Sequence, residues 1–125
     1  MFQLALTQYA FQLQMIRGMT ADIDDADMAR QLIAGGNHPA WIIGHLASSA
    51  DGGLKLLGQQ PLMPESWQPL FSRGSKPQSD RSLYPSKQAL VDQLAAAHAA
   101  VTERIPHAPA ELLATPHPLK LEVLQ

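Results

Sequence analysis

GGNHPAWIIGHLASSADGG, residues Gly35 to Gly53, is the stretch that decides the fold. Two glycines break whatever precedes it. Asn37 or His38 is then placed to cap a helix, and Pro39 suits a first turn, where a missing N–H costs nothing. Trp41, His45, Ser48 and Gly52 fall at i, i+4, i+7 and i+11, so they share one helical face, expected to be the buried one. Ile42, Leu46 and Ser49 lie beside them. Gly52 and Gly53 each cost about 1 kcal/mol relative to alanine inside a helix. They are expected to admit a close neighbour. The helix is read to about Leu57, with Gly58 as its C-cap residue.

The flanking chain carries the same 3.6-residue rhythm. From 2 to about 19, Phe2, Leu6, Tyr9, Leu13 and Ile16 make one buried stripe. Leu4, Phe11 and Met15 widen it, which predicts neighbours on two sides. Residues 24–33 read as a short helical turn or irregular connection capped by Asp24. Its acidic cluster matches no calcium loop. Between 59 and 84, Pro61, Pro64, Pro69 and Pro77 forbid a continuous helix, while Trp67, Leu70 and Phe71 predict that this connection packs down in part. Tyr84-Pro85-Ser86 starts a third long helix, from about 86 to 105. Its stripe is Leu90, Leu94, Ala97, Val101 and Ile105, with His98 beside it. Residues 106–118 hold four prolines, and 119–125 could begin another helix. No useful period-2 alternation occurs. The reading is all-α: one domain, 1–125, of three long helices packed roughly antiparallel, with irregular connections.

Composition excludes several functions. The chain has 125 residues, 46% hydrophobic and 16% charged, which is globular and not disordered. A formal net charge of -2 without a basic run argues against nucleic acid. The absence of cysteine removes disulfides, thiolate metal sites and cysteine nucleophiles. The N-terminus does not read as a signal peptide, since Gln3, Gln8, Gln12 and Gln14 interrupt its apolar run. No stretch reaches the roughly 20 apolar residues that span a bilayer. A cytoplasmic setting is the default expectation.

Asn37-His38-Pro39-Ala40-Trp41, followed by Gly44-His45-Leu46-Ala47, resembles the pattern that the DinB-like (DinB/YfiT-like) superfamily carries into its second helix. The order of parts is similar too: a long first helix, an acidic connection, this helix, a proline-rich loop and a Tyr-Pro-Ser entry to the third. The resemblance implies an up-down four-helix bundle. It also implies a divalent metal, often nickel or zinc, held by three histidines. His45 matches the one from the second helix; an HxxxH pair on the fourth helix supplies the others. Characterised relatives include thiol-dependent transferases and isomerases acting on small molecules. This sequence contains no HxxxH. His107 and His117 sit in proline-rich segments, and 125 residues end about where a fourth helix would begin. The expectation is therefore a bundle whose fourth helix is missing or truncated.

Two functions follow as expectations. The first is a metal-dependent enzyme of the DinB-like type, with His45 as metal ligand and Trp41, Ser48 and His98 as candidates to line a substrate pocket. Imidazole suits zinc or nickel, but a catalytic zinc normally has three protein ligands. No residue is assigned as catalytic, and a triad of Ser48 or Ser49 with His45 and Asp51 is rejected, because nothing marks a strained nucleophile turn. In the structural reading, His45 bonds a backbone carbonyl or the Ser48 hydroxyl, and His38 shapes the helix entry. The second function is a non-catalytic helical module with an open face. That face is covered by a second copy, giving a homodimer, or by another protein. Exchange of 119–125 is a variant of the homodimer; the alternative to it is that the chain covers itself, with Trp67 and Phe71 of 59–84 and Leu112 and Leu113 of 106–118 folding back over the gap.

Overall fold

The computed structural model describes residues 3–108. The regular elements among those residues are all helical, with no strand among them. Helix α1 spans Gln3–Thr20, α2 Pro39–Leu56, the single turn α3 Gln68–Phe71, and α4 Lys87–Arg104. Short 3-10 turns at Asp25–Asp27, Glu65–Trp67, Arg81–Leu83 and Ile105–His107 punctuate the connections. The three long helices lie where the sequence placed them. The expectations for Leu112, Leu113 and 119–125 lie outside the described residues.

The ends of the helices follow from local chemistry. His38 is the N-cap of α2: its Nδ1 accepts from the Trp41 amide at 3.1 Å. At the far end Gly58 adopts φ +77. The Gln59 amide then reaches the Leu54 carbonyl at 2.8 Å and the Gly58 amide reaches Lys55 at 3.0 Å. This pair of bonds closes a helix through a left-handed glycine. Ser86 caps α4 through the Ala89 amide. Asp25 adds a cap from a distant part of the chain, its carboxylate accepting from the Lys87 amide at 2.7 Å. The same carboxylate pairs with Arg81 at 2.9 Å. The backbone bond from Lys87 is the main reason that Asp25 titrates below its ordinary value. Asp24, expected as the cap, makes no side-chain capping bond.

Helix direction departs from the antiparallel expectation. Ile43 and Ala47 cluster with Leu90 and Leu94, while Ala50 and Leu54 cluster with Ala97 and Val101. Residue numbers rise together, so α2 and α4 run the same way. His38 and Tyr84, at the two helix entries, also meet edge to face at 4.7 Å. Only α1 runs against both, with Tyr9 in the second cluster and Leu13 and Ile16 in the first. Parallel neighbours require a long crossover. The 59–84 segment is that crossover, and it packs more deeply than expected: Met63, Phe71 and Tyr84 are buried core residues.

Two contacts hold the crossover down. The Asp51 carboxylate, 2% exposed, accepts from the Leu62 amide at 2.9 Å and the Met63 amide at 2.8 Å. Each oxygen therefore satisfies a backbone N–H that would otherwise be orphaned. Phe71 lies flat over Gly44, where a Cβ would overlap its ring. The close approach expected at Gly52 and Gly53 is therefore made at Gly44 instead; a Cβ at 52 or 53 meets nothing within 4 Å.

Packing is uneven. The α2–α4 pair and the crossover form the sealed core, whereas Thr20 is the only buried residue of α1. The inner side of α1, Leu6, Tyr9, Leu13 and Ile16, is half-buried. Its outer side carries Leu4, Phe11, Met15 and Met19, all exposed. These four fall at i, i+7, i+11 and i+15, one apolar stripe in water.

Candidate functional site

The face of α2 expected to be buried is a flank. The fully covered positions are Ala40, Ile43, Gly44, Ala47, Ala50, Asp51 and Leu54. Trp41, His45 and Ser48 do share a face, but each is half-buried, and Gly52 is exposed. The core stripe of α2 runs beside the large aromatic, through Ala40, Ile43, Ala47, Ala50 and Leu54.

Trp41 and His45 come together on this flank. Their rings stack at 4.6 Å with planes 6° apart. The indole N–H donates to the Ser75 hydroxyl at 3.0 Å. His45 Nδ1 lies 3.0 Å from the Phe71 carbonyl. A carbonyl only accepts, so Nδ1 carries the proton and Nε2 is left as the nitrogen with a lone pair. Such a backbone bond fixes tautomer and ring direction, as it does for many ligating histidines. The structural reading of His45, bonding to a backbone carbonyl, is thus realised at Phe71. Ser48 follows His45 on the same flank.

His98 is on the other side of α2. Its ring stacks on Tyr9 at 3.7 Å, planes 10° apart, and is 5% exposed. It lines a half-open cavity of about 400 Å³ between α1, α2 and α4. Neither Trp41 nor His45 nor Ser48 borders that cavity. The four candidate residues therefore divide into a Trp41–His45–Ser48 flank and a separate His98 wall. Burial lowers the pKa of His98, opposed by a backbone bond to Tyr9.

His38 is structural. With Nδ1 occupied by the Trp41 amide, Nε2 donates to the Gln78 carbonyl at 2.8 Å. Both nitrogens are committed, so it has no lone pair for a metal. Burial again lowers its pKa, against the pull of the Gln78 carbonyl.

A metal of the kind the resemblance implies needs three converging ligands. Among the described residues no three histidine, aspartate or glutamate side chains come together. His45 is oriented for ligation yet stands alone, so these residues do not fit a metal centre. Sequence reasoning did not foresee the contacts of Asp51 with the crossover, of Gly44 with Phe71, or of Tyr9 with His98. Asp51 had a weak signal, the one carboxylate of α2, ahead of a proline-rich loop. Among the described residues no helix is long and apolar enough to cross a membrane.

The model of the DinB superfamily matches residues 8–124 of the chain. No curated protein and no solved structure matches it significantly.

Proposed function

We propose that this chain, which belongs to the DinB superfamily, works as a non-catalytic helical module that pairs with a second copy through the outer face of α1. The observation that carries this reading is the stripe of Leu4, Phe11, Met15 and Met19, exposed at 71%, 60%, 47% and 72%. Fully burying a side chain of this size is worth about 1.5–3 kcal/mol, and a helix face that forgoes it four times over is a face built for a partner. A second α1 offers the same stripe, and packing it antiparallel across a two-fold axis is self-complementary. The inner side of α1 stays on its own domain. Sedimentation velocity of the wild type beside Phe11→Glu tests the reading. A concentration-dependent dimer that the charge abolishes is expected; a monomeric wild type overturns it.

One observation favours a second reading, that of a metal-dependent enzyme acting on a small molecule. His45 has its Nδ1 proton held by Phe71 and its Nε2 without a hydrogen-bond partner among the described residues, the orientation a nickel or zinc ligand needs. A centre there draws its other ligands from outside residues 3–108. Metal analysis of protein purified without chelator decides this reading. Stoichiometric nickel or zinc that is lost in His45→Ala supports it. Absence of any stoichiometric transition metal, with folding unchanged in EDTA, rejects it.

A further inference from the structure

We propose that residues 109–125 turn back from the end of α4 and seat Leu112 and Leu113 in the half-open groove between α1, α2 and α4, so that the chain closes its own bundle. The floor of the groove is carbon, from Leu6 and Tyr9 of α1, Leu46 of α2, and Val101 and Ile105 at the end of α4. Only Val101 of these five is fully buried; the other four are half-buried, with one side left open. Trp67 and Phe71, the other side chains expected to cover an open face, are spent elsewhere. They pack into the core with the crossover, Phe71 on Gly44, and neither borders this groove.

The rim suits a polypeptide. Gln12 and Ser49 border the groove and are exposed. The Gln12 amide offers both donors and an acceptor, and Ser49, whose hydroxyl donates to the His45 carbonyl at 3.0 Å, keeps its oxygen as an acceptor. A chain segment laid between them finds partners for its backbone N–H and C=O groups while its side chains fill the apolar floor. The tether then selects which segment. The chain leaves α4 through the turn Ile105–His107, and the first residue of that turn is itself a wall of the groove. From Ile105 back to His98 the groove follows α4 for about 10 Å, at 1.5 Å per residue. Four residues past Ala108 an extended chain reaches about 13 Å, and the side chains there are Leu112 and Leu113, the first large aliphatic ones after Ile105. A segment tethered so closely has an effective concentration on the order of millimolar, which a free ligand or second copy at micromolar concentration does not match. The family match runs to residue 124, so this segment belongs to the same domain as α1. The groove uses the inner side of α1 and is independent of the stripe proposed for pairing and of His45.

Methyl NMR on the full chain tests this. Nuclear Overhauser contacts from the Leu112 and Leu113 methyls to the Tyr9 ring and to Leu46 are expected. They should be absent from an isotope-filtered experiment on mixed labelled and unlabelled chains, which sees only contacts between copies. Replacing both leucines, Leu112→Asp with Leu113→Asp, should speed amide exchange around Leu6 and Tyr9 by roughly tenfold or more, while the Leu62 and Met63 amides held by Asp51 keep their protection. If that double variant does not fold, the wild-type contacts decide alone. Contacts that appear in the filtered experiment would give the groove to a second copy and overturn the proposal. Wild-type Leu112 and Leu113 methyls that touch neither Tyr9 nor Leu46, or exchange along α1 that is indifferent to the double substitution, would overturn it as well.

Discussion

Replacing Asp51 by asparagine is a nearly isosteric change at the point where the crossover is fastened. Its two oxygens accept from the Leu62 and Met63 amides, at 2.9 and 2.8 Å, in a place 2% exposed. Asparagine keeps one acceptor. Its amide nitrogen then faces an N–H, so one charge-assisted bond, worth about 1.5–3 kcal/mol, becomes a meeting of two donors. Relief of carboxylate desolvation returns part of that. The net loss expected is about 2–3 kcal/mol, a large share of the roughly 5–15 kcal/mol that holds a domain. In urea, with a slope of about 1–1.5 kcal/mol per molar for a chain of this size, the midpoint should fall by about 1.3–3 M. Hydrogen exchange gives the local readout: the amides of Leu62 and Met63 should lose protection, with α1 unaffected. A loss under about 0.5 kcal/mol, or protection unchanged at both amides, would refute the claim that Asp51 anchors the crossover.

Three further outcomes are expected. Gly44→Ala places a methyl against the Phe71 ring; despite the better helix propensity of alanine, the melting temperature should fall, by an amount equivalent to about 1–3 kcal/mol, and a rise would contradict the packing described. His45→Ala removes the donor to the Phe71 carbonyl in a half-buried setting and should cost about 1 kcal/mol in urea unfolding, while a loss above ~3 kcal/mol would show that more than this bond depends on the ring. His38 and His98 both have pKa values lowered in the fold. Below the ordinary imidazole value of about 6.5 the unfolded chain therefore binds more protons than the folded one. Stability should be intact above that pH and fall as the pH drops through it toward the folded-state values. A flat profile between pH 7 and 5 would contradict the burial of both rings.

Much of the fold was legible because it depends on local signals. Ser86 after Tyr84-Pro85 marks the start of α4, Gly58 ends α2, and the Leu90–Leu94–Ala97–Val101 stripe is the buried one. The two apolar sides of α1 were legible too, as Leu6–Leu13–Ile16 inside and Leu4–Phe11–Met15 outside. Helix direction was not, because a 26-residue connection (59–84) spans a crossover as easily as a folded-back loop. Its role follows only from contacts far apart in sequence, such as Asp51 with Leu62 and Asp25 with Lys87. The inward face of α2 was misread for a related reason. Trp41 and His45 look like core residues, yet the covered side of α2 is built from Ala40, Ile43, Gly44 and Ala47, packed against α4 and, at Gly44, against Phe71 of the crossover. His38 as a cap and His45 bonded to a carbonyl were legible as types of contact; the partners Gln78 and Phe71 come from the crossover and were not.

Sedimentation velocity across a concentration series, run on the wild type and on Phe11→Glu, tests the pairing of this chain most directly. The stripe on α1 predicts a wild type that shifts from monomer to dimer as concentration rises to about 100 μM, and a variant that stays monomeric throughout with the same helical content. A wild type that sediments as a monomer at every concentration and binds no apolar dye would contradict the account.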